Sequence, residues 1–106
     1  MYHLLRIIIT SIEEINNIRE YASDRSAYNK IKHIAENKDD ENLFIFCVTM
    51  QNHGGYDENS ANGFKTSVSL SYSAEYPMAE TYLSLEKESD AAFKELVEYF
   101  ESVDEP

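Results

Sequence analysis

The apolar run Leu43-Phe44-Ile45-Phe46-Cys47-Val48-Thr49-Met50 stops abruptly at Gln51-Asn52-His53-Gly54-Gly55-Tyr56, and no other stretch constrains the fold as much. A short run of aromatic and β-branched residues has the character of a strand buried on both faces, here from Leu43 to about Met50. Such strands belong to parallel sheets covered by helices. In open α/β sheets ligands bind beyond the carboxyl ends of the strands. His53 falls in that place, on a loop whose glycines let the backbone come close to a ligand.

The flanking sequence supplies the other elements. Tyr2 to Thr10 is rich in β-branched residues and reads as a strand. Ser11-Ile12-Glu13-Glu14 has the form of a capping box, opening a helix with Ile12, Ile15 and Ile18 on one stripe and ending near Tyr21. A second start signal at Ser23-Asp24 precedes Tyr28, Ile31, Ile34 and Ala35 at helical spacing, which predicts an amphipathic helix from Asp24 to about Asn37. Gln51 to Gly63 lacks periodicity and holds all three glycines, which makes it a long and therefore functional or mobile loop. Lys65 to Tyr72 alternates, with Val68, Leu70 and Tyr72 on one side and Ser67, Ser69 and Ser71 on the other, as an edge strand does. Pro77 then opens a long helix whose stripe is Tyr82, Leu85, Ala92, Phe93, Leu96, Phe100 and Val103. A central strand buried on both faces wants neighbours on both edges. One edge partner is too few, so the sequence reads as a piece of a larger α/β domain.

Composition narrows the function. The 106 residues allow one domain. With 20 acidic and 9 basic residues the net charge is −11, which argues against a nucleic-acid surface; its plain reading is solubility. The lone Cys47 excludes an internal disulfide and sits mid-strand as a small hydrophobe rather than a nucleophile. The stretch Leu4 to Ile9 is interrupted by Arg6 and is far short of the ~20 residues that cross a bilayer. No secretory signal is evident, so the chain as written is expected in the cytoplasm.

Among candidate chemical groups His53 leads: a histidine there can contact a phosphate or sulfate oxygen, act as acid or base, or ligate a metal. The competing reading is a loop histidine satisfied by local backbone. His33 is expected to face solvent, and His3 lies in an uncertain terminal segment. His53, Asp57 and Glu58 match no metal cage by spacing, and the glycine-rich phosphate motifs and the nucleophile elbow are absent. The tyrosines are scattered along core edges.

The segment Phe44 to Tyr56 resembles the Asn-His-bearing strand and loop of the lipoteichoic acid synthase-like sulfatases, phosphoglycerol transferases of the alkaline phosphatase superfamily. Ser23-Asp24-Arg25-Ser26-Ala27-Tyr28 is similar to the segment before that strand. Tyr76 to Leu85 and Glu88 to Phe93 are similar to the long helix after it, and Tyr99 to Pro106 to the approach to the next core strand. Residues 18–106 form the family-like segment and 1–17 a poorly matched N-terminal one. The resemblance implies an alkaline phosphatase-like (sulfatase) α/β fold, of which this chain is a fragment: helices on a small sheet with one buried central strand and a long C-terminal helix. It implies that His53 contacts a phosphate-bearing substrate, a glycerolipid or polymer, with Asn52 beside it.

The same resemblance implies a membrane-anchored, extracellular enzyme that uses manganese or another divalent metal and a threonine nucleophile. The family's nucleophile and metal ligands have no counterparts here, and Thr49 and Thr66 are not in the nucleophile's context. The chain is therefore expected to bind no cofactor alone, to be inactive by itself, and to work with the remainder of the domain. The alternative is a free-standing acidic interaction module that has lost catalysis.

Overall fold

A computed structural model of the chain describes residues 2–6, 15–39, 42–72 and 75–103. In chain order the elements are β1 (Tyr2–Arg6), β2 (Asn17–Ile18), β3 (Tyr21–Ala22), α1 (Asp24–Glu36), β4 (Asn42–Phe46), α2 (Glu58–Ala61) and α3 (Pro77–Ser102). β1 and β4 pair in parallel, in a register running from Tyr2 opposite Asn42 to Arg6 opposite Phe46. A parallel pair needs a long crossover between its strands, and the chain between them carries α1. The expected parallel pairing is therefore present, in a two-stranded sheet.

Both long helices start where local chemistry says they should. Ser23 is the N-cap of α1, and its Oγ accepts a hydrogen bond from the Ser26 amide at 3.1 Å. Ser26 in turn ties the cap to the residue just before β2: its Oγ accepts from the Asn16 amide at 2.9 Å and donates to the Asn16 carbonyl at 3.2 Å. Asn37 ends the helix by donating from both its backbone and side-chain nitrogens to the His33 carbonyl. Pro77 opens α3, where a missing amide proton costs nothing.

α1 and α3 pack on each other. Arg25 holds Glu95 with two hydrogen bonds, at 2.9 and 3.2 Å. The Tyr28 and Phe93 rings meet edge to face with centroids 6.5 Å apart, and the Lys32 ammonium lies 5.7 Å from the Tyr99 ring centre. The buried apolar residues among those described are Ala27, Leu85 and Ala92. The buried face of α3 otherwise consists of Thr81 and Ser84, hydroxyl groups rather than hydrocarbon.

Three expectations are corrected. First, no helix runs to Tyr21. Asn17–Ile18 pairs antiparallel with Tyr21–Ala22, and Arg19 turns the chain at a left-handed φ of 60°. The isoleucine spacing suggested a helix, but long-range bonds to the Arg19 side chain, described below, override local propensity. The capping box at Ser11–Glu14 and the strand end from Ile7 to Thr10 lie outside the described residues.

Second, β4 and its extension are not buried on both faces. Leu43, Ile45, Cys47 and Thr49 are half-buried, whereas Phe44, Phe46, Val48 and Met50 are 55, 62, 59 and 41 % exposed. Burial, followed by the Asp24 charge of α1, raises the pKa of the Cys47 thiol, in keeping with its place in the inward row. The outward row has no cover among the described residues. The expected buried central strand is thus a half-buried one.

Third, Lys65 to Tyr72 forms no strand. Its amides are bound by side chains of α3 instead: Ser67 and Val68 donate to Ser84 Oγ at 2.9 and 3.0 Å, and Leu70 donates to Glu80 Oε2 at 3.0 Å. Donors engaged in this way are not available to a neighbouring strand.

Candidate substrate-binding loop

The loop that follows β4 is fixed from below by one side chain. Gln51 is 1 % exposed. Its Oε1 accepts from the Asp24 amide at 2.8 Å, in the first turn of α1. Its Nε2 donates to the Leu85 carbonyl at 3.2 Å, to Ser89 Oγ at 3.0 Å and to Asn52 Oδ1 at 2.9 Å. One amide thus joins the strand end, the start of α1 and the middle of α3. Asn52 extends the joint, with Nδ2 donating to Ser89 Oγ at 2.7 Å and Glu86 Oε1 at 3.1 Å. Ser89 Oγ donates to Asp24 Oδ2.

From the other side the loop is held by Arg19, which is 7 % exposed. Its guanidinium donates to three alternate loop carbonyls: Gln51 at 2.6 Å, His53 at 2.8 Å and Gly55 at 2.7 Å. The rings of Tyr21 and Tyr56 lie 5.4 and 5.8 Å from it, close enough for cation–π attraction. A buried guanidinium is costly unless hydrogen-bonded, and here the loop backbone supplies most of that satisfaction. Among the described residues, the buried atoms Arg19 Nε and Asp24 Oδ1 have no hydrogen-bond partner.

The loop's own geometry completes the frame. The His53 amide closes a turn onto the Met50 carbonyl at 3.0 Å, and the Tyr56 hydroxyl donates to the Asn52 carbonyl at 2.7 Å. Gly55 sits at φ 95°, a left-handed conformation that favours glycine. Asp57 caps the short α2 by accepting from the Ser60 amide at 2.9 Å, and that bond holds its carboxyl below the usual aspartate range. Asn62 donates back to the Arg19 carbonyl at 3.1 Å.

His53 therefore stands exposed on a rigidly held backbone. Its ring meets Tyr21, with centroids 5.6 Å apart and planes tilted by 53°, and its Nδ1 lies 3.3 Å from the Tyr21 hydroxyl. Nε2 has no protein partner among the described residues. Asn52, by contrast, is half-buried, and both of its amide protons are engaged by Glu86 and Ser89. The two neighbours are brought together by the loop but face different tasks: Asn52 is tied inward and His53 is presented outward.

The other candidates do not join them. Cys47 is half-buried, and burial followed by the nearby Asp24 charge pushes its thiol pKa up, which keeps it protonated and unreactive. His33 is exposed on α1 and bonded to Asn37. No group of three His, Cys, Asp or Glu side chains among the described residues is gathered to hold a metal ion. An open cleft of about 690 Å³ lies beside the loop, lined by Tyr56, Asp57, Phe64, Lys65, Met78 and Glu80 among others; His53 is not part of its wall.

Sequence reasoning missed Gln51 and Arg19. The first had a legible signal, because parity places Gln51 in the same row as Leu43, Ile45, Cys47 and Thr49. A glutamine in a row that faces the interior needs partners there. Arg19 had none, since its partners lie more than thirty residues away.

A parallel strand pair with a helix in its crossover, followed by a histidine-bearing loop, is an α/β arrangement with its candidate site beyond the strand's carboxyl end. Residues 6–106 match the Sulfatase family, and the chain belongs to that family, within the alkaline phosphatase superfamily. Its mix of helices and a small sheet is consistent with a portion of a sulfatase domain. No curated protein and no solved structure matched the chain. No helix among the described residues is long and apolar enough to cross a membrane.

Proposed function

We propose that this chain is part of a sulfatase-type phosphoglycerol transferase or phosphoesterase related to lipoteichoic acid synthesis, with an alkaline phosphatase-like fold in its complete form. His53, with Asn52 behind it, forms the substrate-side wall and meets a phosphate-bearing glycerolipid or polymer. The observation that carries this reading is the exposed His53 ring, held at the carboxyl end of a parallel strand by Arg19 and Tyr21 in a chain of the sulfatase family. An imidazolium at that place donates a charge-assisted hydrogen bond to a phosphate oxygen. Asn52 supports the loop through Ser89 and reaches a substrate only by releasing Glu86, its exposed partner.

The metal, manganese or another divalent ion, and the threonine nucleophile belong to the complete family domain in this proposal. The described residues of this chain do not form a cage for such an ion, and no step is derived through it. The row of Phe44, Phe46, Val48 and Met50, bare among the described residues, is consistent with such an arrangement, and the remainder of the domain is its proposed cover.

The test is a titration of the isotopically labelled chain with glycerol phosphate. Selective shifts of the His53 ring resonances, abolished by His53→Ala, are expected; silence at His53 refutes the substrate-side role. Manganese and phosphatidylglycerol added to the chain alone are expected to give no turnover, and turnover lost on His53→Ala would overturn the inactivity. The same row favours one second reading, an acidic interaction module without chemistry, for which glycerol phosphate leaves the loop unperturbed.

A further inference from the structure

The direction of the Asn52 side chain follows from one main-chain group. The Asp24 amide can only donate, so the Gln51 atom 2.8 Å from it is the oxygen Oε1. Gln51 Nε2 therefore faces the other way, toward the Leu85 carbonyl at 3.2 Å, which can only accept. The same nitrogen lies 2.9 Å from the Asn52 amide, and the atom that meets it is the oxygen Oδ1. The Asn52 nitrogen is left to face Ser89 Oγ at 2.7 Å and Glu86 Oε1 at 3.1 Å. An ionised carboxylate accepts only, so the Glu86 contact agrees with this direction. Asn52 thus presents N–H, not C=O, to the exposed side of the joint.

The two partners of that nitrogen differ in kind. Ser89 is half-buried, accepts from Gln51 Nε2 as well, and gives its own proton to Asp24 Oδ2. It is fixed from three sides. Glu86 is exposed, and its bond of 3.1 Å is longer than the ~2.7–2.9 Å of a close charge-assisted pair. A long, solvated side chain releases such a contact at small cost. Carboxylate and phosphate oxygens are both anionic acceptors and make the same demand on an N–H donor. Glu86 occupies the Asn52 proton as an anionic ligand would.

We propose that Glu86 is a built-in competitor for anion binding at Asn52: its carboxylate holds the Nδ2 proton that an incoming phosphate oxygen takes, and so sets the affinity of the loop for its ligand. This deepens the proposed substrate-side role of the loop and rests on it. Ligand binding is then an exchange of one anionic acceptor for another. Asn52 stays oriented by Gln51 and Ser89 throughout, and only the Glu86 side chain has to move.

The experiment compares wild type with Glu86→Ala and Glu101→Ala in ¹⁵N-labelled chains at neutral pH. Glu101 is exposed on the same helix, so its variant makes the same charge change away from Asn52. Without ligand, Glu86→Ala is expected to move the Asn52 side-chain amide resonances, and Glu101→Ala to leave them in place. With glycerol phosphate added, Glu86→Ala is expected to bind about threefold more tightly than either other chain, the worth of an exposed ionic contact. The gain is expected to vanish when Glu86→Ala is combined with Asn52→Ala. Asn52 resonances unmoved by Glu86→Ala, equal affinities in Glu86→Ala and Glu101→Ala, or a gain that survives Asn52→Ala each overturn the proposal. In these outcomes wild type still binds, and the substrate-side role stands. If glycerol phosphate moves neither His53 nor Asn52 in any of the chains, the proposed function fails and this proposal falls with it.

Discussion

Replacing Gln51 by leucine keeps the side-chain volume and removes the amide that joins three elements. The Asp24 amide loses its acceptor at 2.8 Å, and the Leu85 carbonyl and Ser89 Oγ lose a donor. Asn52 Oδ1, which is half-buried, can turn to water. A buried polar group left without a partner costs about 1–3 kcal/mol, and each lost bond about 1 kcal/mol net. Greater burial of hydrocarbon offsets a part of this. The balance is a loss of about 3 kcal/mol, against a total of about 5–15 kcal/mol for a chain of this length. At about 4–8 °C per kcal/mol the midpoint falls by about 12–24 °C. Thermal melting followed by circular dichroism measures it, with denaturant titration to separate a stability change from a change in cooperativity. A loss below about 1 kcal/mol would refute the view that Gln51 organises the loop.

Gly55 and Gly54 should respond differently to alanine. At Gly55 a Cβ would stand 3.0 Å from Ser60 Oγ in a left-handed backbone, whereas at Gly54 nothing lies within 4 Å; a loss of about 1–2 kcal/mol at the first and a near-neutral change at the second are expected by melting. Glu95 is bonded by Arg25, which lowers its pKa from 4.5. A depressed folded pKa stabilises above the unfolded value and is lost as pH falls through the folded one, so the Tm gap between wild type and Glu95→Gln should close on acidification below pH 4.5. Burial keeps the Cys47 thiol protonated, so iodoacetamide at mildly alkaline pH should label it more slowly in the folded chain than in urea; equal rates would contradict its inward position.

What the sequence made legible was local. Ser23 at the start of α1 and Pro77 at the start of α3 act within one helical turn, so their residues alone announce them. The parallel character of β4 was legible too, through its aromatic and β-branched composition. Its cover was not, because a continuous apolar run cannot say whether its second face meets this chain or something else. The hairpin at Asn17 to Ala22 was misread for a related reason. Ile12, Ile15 and Ile18 are spaced for a helix, but the Arg19 guanidinium finds its three acceptors in a loop far along the chain. His53 was visible as a histidine after a strand; the hold on its backbone and ring was invisible without the fold.

The row of Phe44, Phe46, Val48 and Met50, uncovered among the described residues, sits on a molecule with a net charge of −11. These two features oppose each other whenever copies of the chain meet. At about 0.1 M salt the repulsion reaches about 10 Å from the surface, but at 1 M only about 3 Å, which is within side-chain contact. Added salt thus removes the deterrent, and a kosmotropic salt such as sulfate also strengthens the apolar attraction. Raising ionic strength is therefore expected to lower the concentration at which this chain stays dispersed.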